Sequence, residues 1–142
     1  TAFYSLSLGF KKSASLEFED YLHKIAKKNI SILRCNEQVE LICENAFSFK
    51  RYTEFSHIFM FRPLNGELMI KLFNYIFLTF KETKKKFTNY YFLIYGGIPL
   101  SYINDSLIKS FREINAEVSI EKDEICPYRG NNIRVISINF NK

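Results

Sequence analysis

Hydrophobic and polar residues change their period several times along this chain, and each change predicts an element. "FYSLSLGF" (3–10) alternates aromatic or aliphatic residues with small polar ones and stops at Gly9, the pattern of a strand and its turn. From Ser15 to Asn29 the spacing shifts: Phe18, Tyr21, Leu22, Ile25 and Ala26 fall on one helical stripe, with acids early and lysines late as a helix dipole favours. "ISILRC" (30–35) and "QVELIC" (38–43) return to strand character around Asn36-Glu37. "AFSFKRY" then extends the meander, and "SHIFMF" (56–61) adds a strand closed by Pro63.

The second half is more apolar. "LNGELMIKLFNYIFLTFKETKKK" opens on Asn65 as a cap and predicts a long helix, apolar on most of its surface and lysine-rich at its end. "NYYFLIYGG" (89–97) is a nearly continuous apolar run, the signature of a central strand covered on both faces. Pro99 suits the first turn of a helix whose stripe is Ile103, Leu107, Ile108, Phe111 and Ile114. "AEVSIE" (116–121) and "NIRVISINF" (132–140) follow as strands around the loop "KDEICPYRGN". The expected fold is α/β: a single domain over residues 1–142 with a mixed β-sheet flanked by about three helices. The element order is strand, helix, a group of strands, helix, strand, helix and two closing strands.

Composition narrows this picture in four ways. With 142 residues, 47% hydrophobic and 17% aromatic, the chain is long enough for one core. The longest apolar run (67–80) is broken by Lys71 and Asn74 and falls short of the roughly 18 to 20 residues of a membrane span; with no basic leader pattern at the start, a cytoplasmic location is expected. Cys35, Cys43 and Cys126 lack metal-ligand spacing, which predicts reduced thiols rather than a disulfide framework or zinc site. The formal charge of +5 gathers at Lys11-Lys12, Lys27-Lys28 and "KETKKK" (81–86). Lys11, Lys12, Lys84, Lys85 and Lys86 are therefore candidate contacts to the phosphates of DNA or RNA.

The candidate chemistry centres on "RCNEQVELICENAFSFKRY" (34–52). Val39, Leu41, Cys43, Phe47 and Phe49 are all odd-numbered, so a hairpin pairing odd with odd residues gathers them on one apolar face. That register turns Glu40, Ser48 and Lys50 to the other face, as a metal-binding constellation or as a cross-strand ion pair. With the preceding "SLEFEDYLHKIAKKNISIL", the stretch resembles the restriction-endonuclease-like superfamily, the PD-(D/E)xK nucleases. The resemblance implies a catalytic set of Glu40, Lys50 and Glu17, or Glu19 in place of Glu17, with Glu40 as a ligand to Mg²⁺ or Mn²⁺. Ser48 stands where that family carries a second carboxylate, so a non-cleaving derivative is the companion reading.

"LIYGGIPL" looks like the Gly-Gly turn of actin-like ATPases through Gly96 and Gly97 alone. It motivates the alternative of a non-catalytic protein-interaction or scaffold module in a cytoplasmic assembly, such as an actin-like pilus or secretion component. "CPYR" (126–129) lacks the second cysteine of a redox motif, and His23 and His57 have no nucleophile tied to them by local pattern, so all three read as structural.

Overall fold

The computed structural model describes residues 2–61, 64, 66–96, 107–125 and 132–140. Pro63, Asn65, Gly97, Pro99, Ile103, Cys126 and the rest of the loop from 126 to 131 lie outside them. The α/β class is as expected, with strands, helices and a mixed sheet. The chain divides into two compact units, Thr1–Phe49 and Lys50–Lys142.

In the first unit, α1 (Ala2–Ser7), β1 (Ser13–Glu17), α2 (Asp20–Ile32) and β2 (Val39–Cys43) form a βαβ arrangement preceded by a short helix. β1 and β2 pair in parallel, Ser13 opposite Val39 through Glu17 opposite Cys43. The core joins Ile30, Cys35 and Val39, with Leu6 and Leu41 packed against it. This explains the first correction: "FYSLSLGF" is helical over its first part because Leu6 is needed on that cluster, while Gly9, at φ 92°, supplies the turn that its sequence suggested.

The helix expected from Ser15 starts only at Asp20, because Ser13–Glu17 is taken up by the parallel ladder. Its buried face is also not the expected stripe. His23, Ala26 and Ile30 turn inward or sideways, whereas Phe18, Tyr21, Leu22 and Ile25 are exposed. "ISILRC" is no strand: its first residues finish α2, which closes in a Schellman motif. Arg34 N–H donates to the Ser31 carbonyl (3.1 Å) and Cys35 N–H to the Ile30 carbonyl (3.3 Å), with Arg34 in the left-handed region at φ 53°. Cys35 then packs on Ile30, completing the motif's apolar contact.

The expected hairpin after β2 does not form either. Asn45 gathers the chain into a tight turn: its carbonyl accepts the Ser48 and Phe49 N–H groups (2.9 and 3.1 Å), and its Oδ1 accepts Phe47 N–H (2.9 Å). Donors spent locally are not offered to β2, and the odd-numbered apolar series at 39–49 is a coincidence of parity rather than a hairpin register.

In the second unit, a 3₁₀ turn (Tyr52–Glu54) leads to β3 (His57–Phe61), α3 (Gly66–Glu82), β4 (Asn89–Tyr95), α4 (Lys109–Arg112), β5 (Ala116–Ile125) and β6 (Asn132–Phe140). The sheet order is β3-β4-β6-β5, parallel between β3 and β4 and antiparallel elsewhere, with a register irregularity in β5 between Ile120 and Lys122. α3 buries Met69, Leu72, Phe73, Ile76, Thr79 and Phe80. On the sheet, the alternation of Tyr90, Phe92 and Ile94 with Ile136 and Ile138 supplies the matching buried face.

Aromatic edges lock this core. Phe80 meets Tyr90 at 4.7 Å and Phe111 at 5.2 Å, both edge to face. The Tyr90 hydroxyl donates to the Thr53 carbonyl (3.1 Å) and accepts Phe87 N–H (3.1 Å), so one buried side chain fastens both the 3₁₀ turn and the lysine loop at 84–86. Arg134, almost wholly buried, places Nε 2.8 Å from Asp123 Oδ1. No helix among the described residues is long and apolar enough to cross a membrane.

Candidate functional site

In α/β sheets the ends of parallel strands, where carbonyls and following loops converge, form the ligand edge. In the first unit that edge is built by Glu17 and Cys43, the last residues of β1 and β2. The ladder continues one step further, as Glu44 N–H donates to the Glu17 carbonyl (3.2 Å). Glu17 is half-buried, and its Oε1 accepts Glu19 N–H at 2.9 Å, a bond that holds the carboxylate at the strand end. Glu44 is held in turn: Ser48 Oγ lies 3.1 Å from Glu44 Oε1 and 3.0 Å from the Asn45 carbonyl, so its single proton is shared between them. The thiol of Cys43 approaches the Phe18 carbonyl at 4.0 Å.

The same edge carries the start of α2. Asp20 and Lys24 form an ion pair of 2.6 Å; the hydrogen bond from Lys24 holds the Asp20 carboxyl below its usual range and raises the ammonium correspondingly. Two carboxylates fixed by neighbours, Glu17 and Glu44, are thus presented at adjacent strand ends. Such groups accept hydrogen bonds from hydroxyls or amines and attract cationic ligands.

The residues assigned from sequence fall elsewhere or change meaning. Glu40 is the second residue of β2, opposite Ala14 of the parallel partner, and not on a hairpin arm facing Lys50. Lys50 is exposed beyond the Asn45 turn, and Ser48 serves Glu44. Among the described residues no three His, Cys, Asp or Glu side chains converge to hold a metal ion, so Glu40 belongs to no such set for Mg²⁺ or Mn²⁺. Lys11 and Lys12 lie between α1 and β1, and Lys84, Lys85 and Lys86 between α3 and β4. Each group is therefore at the amino end of the strand that follows it, opposite to that strand's ligand edge.

The hairpin expected from the odd-numbered series puts Glu44 and Asn45 in its loop, with Glu44 as a substitute for the carboxylate missing at Ser48, and the helix expected from Ser15 hides the strand-end position of Glu17. The signal was present: "SLE" and "LICE" are two short runs that each end in an acid, one on either side of a helix.

No family model matches the chain, and no curated protein matches it by sequence. Solved structures do. A candidate methylase from Haemophilus influenzae aligns with 98% of this chain and 79% of its own, with a TM-score of 0.65 and 17% identity. M. capricolum TrmK, solved with its natural cofactor product S-adenosyl-homocysteine, aligns over 99% and 57%, at 0.67 and 15%. A Streptococcus pneumoniae protein described as a candidate tRNA (m1A22) methyltransferase aligns over 99% and 59%, at 0.65 and 12%. The chain therefore spans between 57% and 79% of the length of these three.

At these identities the likeness concerns the fold alone, an α/β fold that this chain shares with methyltransferases of known structure. It overturns the restriction-endonuclease resemblance, and with it the nuclease and its Mg²⁺ or Mn²⁺. Parallel pairing of β1 with β2 replaces the hairpin on which that motif depended. Nor do these neighbours favour the actin-like scaffold alternative.

Proposed function

We propose that this chain receives the adenosine moiety of S-adenosylmethionine at the carboxyl edge of β1 and β2 and contributes to methyl transfer onto a nucleic acid. The observation that carries the reading is Glu17, a carboxylate ending the first of two parallel strands and held there by Glu19 N–H. An acid at this place in a Rossmann-like sheet accepts hydrogen bonds from ribose hydroxyls, and Glu17 Oε2 is the oxygen to which the Glu19 bond is not made. Glu44, fixed by Ser48, stands beside it on the neighbouring strand and adds negative potential toward a cationic ligand.

When bound, the cofactor supplies a methyl group on a positively charged sulfur. The side chains named here orient its nucleoside and leave the reacting methyl to other groups. A nucleic-acid substrate is supported by the net charge of +5 and by the RNA named for one structural neighbour. Lys11 and Lys12 in the first unit, and Lys84, Lys85 and Lys86 in the second, are then candidate phosphate contacts.

The test is calorimetric titration with S-adenosyl-homocysteine. The wild type binds. Glu17→Ala loses a charged acceptor worth about 1.5 to 3 kcal/mol, which weakens binding at least tenfold. Glu17→Gln, which keeps one acceptor oxygen, falls between. Wild-type protein that takes up no ligand, or a Glu17→Ala protein that binds as well as wild type, overturns the reading.

A further inference from the structure

At the amino end of β3 and β4, two segments of the second unit that are distant in sequence are stitched together. Thr53 Oγ1 and Thr83 Oγ1 share a hydrogen bond of 3.1 Å. The Tyr90 hydroxyl, between the Thr53 carbonyl and Phe87 N–H, fastens the same two segments again. Both are basic: Lys50 and Arg51 precede the 3₁₀ turn, while Lys81, Lys84, Lys85 and Lys86 end α3 and lead into β4. The fold therefore gathers six cations against two carboxylates, Glu54 and Glu82, an excess of four in a chain whose formal net charge is +5.

The cations are positioned by neighbours. Arg51 Nη2 and Nε lie 3.1 and 3.2 Å from Glu54 Oε2, and Lys86 Nζ reaches the same oxygen at 3.4 Å. One carboxylate thus holds two cations and neutralises only one. The hydrogen bond from Arg51 keeps the Glu54 carboxyl below its usual range, so it stays charged. Lys85 Nζ stands 4.9 Å over the Phe140 ring, a contact that fixes the ammonium and consumes none of its charge. Lys50, Lys81 and Lys84 are exposed and hold no ion pair among the described residues. On β5, Glu117 lies opposite Asn139 but turns to the other face of the sheet, because its neighbours Ala116 and Val118 are the buried ones.

We propose that this basic end of the second unit is a grip for the phosphodiester backbone of a nucleic acid, with Arg51, Lys84, Lys85 and Lys86 as the phosphate contacts and Glu54 as the counter-charge that an incoming phosphate displaces. Two cations bridged by one carboxylate form a seat that a phosphate oxygen can take over, exchanging one anion for another on donors already in place. Cations held at fixed points suit a polymer with regularly spaced phosphates better than a fluid anionic membrane, which gathers flexible basic segments. Lys84, Lys85 and Lys86 are contiguous, whereas Arg51 and Glu54 join them only through the fold. The inference deepens the nucleic-acid part of the proposed function and owes nothing to Glu17.

The test is anisotropy titration of a fluorescein-labelled RNA of about 20 nucleotides, and of DNA of the same sequence, with the full chain between about 50 and about 200 mM salt. Arg51→Gln/Lys86→Gln and Lys84→Gln/Lys85→Gln each remove two contacts. Each should flatten the slope of log affinity against log salt by about 1.4 to 1.8 and weaken binding at least about tenfold at the lower salt. Lys27→Gln/Lys28→Gln, which takes the same charge from α2 in the first unit, should leave the slope unchanged. Glu54→Gln, free of the competing carboxylate, should bind several-fold tighter. Circular dichroism checks that each variant is folded.

The grip is overturned by a wild type that binds neither RNA nor DNA, or by a slope that falls as far in Lys27→Gln/Lys28→Gln as in the other pairs. It is overturned equally by a folded Glu54→Gln protein that binds no more tightly, or by sedimentation with phosphatidylserine vesicles in place of RNA or DNA binding. Titration of the same proteins with S-adenosyl-homocysteine keeps the two readings apart. Uptake of that ligand, with the grip variants indistinguishable from wild type on RNA, sinks only the grip. Nucleic-acid binding that is lost in the grip variants, without uptake of S-adenosyl-homocysteine, sinks only the cofactor site.

Discussion

Replacing Tyr90 with phenylalanine tests how the second unit is held together. The ring stays, still edge-on to Phe80 at 4.7 Å, so no cavity opens; only the hydroxyl goes. Its two partners then fare differently. Phe87 is exposed, and its N–H exchanges one acceptor for water at little cost. Thr53 is 3% exposed, and its carbonyl loses the hydroxyl donor where water does not readily reach. One net hydrogen bond of about 1 kcal/mol plus partial desolvation of the stranded carbonyl gives about 2 kcal/mol. Urea unfolding followed by circular dichroism should show a lower midpoint with the same slope, and Tm should fall by roughly 10 °C for a unit of this size. Trypsin cutting at Lys84–Lys86 should accelerate beyond the change in global stability, because the hydroxyl also anchors that loop. A loss below about 0.5 kcal/mol would refute the reasoning, since it would mean the Thr53 carbonyl is solvated.

Two other outcomes follow from charges in the same unit. Arg134 is 3% exposed while Asp123 is 30% exposed, so Asp123→Ala takes a carboxylate from a buried guanidinium at a cost of about 2 kcal/mol, and Arg134→Met, which leaves the acid free to turn to water, should cost less in the same urea assay. Burial pushes the His57 imidazole below its usual pKa, so folding favours its neutral form. The stability it contributes is complete above the unfolded value of about 6.5 and is lost as pH falls through the lowered folded value. His57→Phe should flatten that dependence between about pH 7 and pH 5, and an unchanged slope in the variant would assign it to another group.

What the sequence disclosed depended on how local each signal was. α3, β4 and β6 could be read because long apolar runs with helical or strand spacing need no knowledge of distant partners. β1 could not: "SASLE" has neither strong strand composition nor length, and only Val39–Cys43, 26 positions later in register, makes it a strand. The α2 stripe misled for a different reason. Phe18, Tyr21, Leu22 and Ile25 satisfy helical spacing as well as any core face, yet His23 is buried instead, and spacing alone does not tell an inward stripe from an outward one. The candidate site suffered from the same long-range pairing. The expected helix contains Glu17 and the expected hairpin turns at Glu44, since a parallel strand end exists only once both strands are placed.

The sheet order β3-β4-β6-β5 also bears on how the chain is made. β6 is the latest of the strands in sequence, yet it lies between β4 and β5 and is the sole ladder partner of β5 among the described residues. While the polypeptide leaves the ribosome, β5 emerges first and must wait with ten residues of unpaired backbone until residues 132–140 follow. The four-stranded sheet therefore cannot be completed progressively from the amino end; it closes in a late step when β6 slots between two waiting strands. A chain stalled before residue 132 would present β4 and β5 as open edges, the species most prone to pair with another nascent chain.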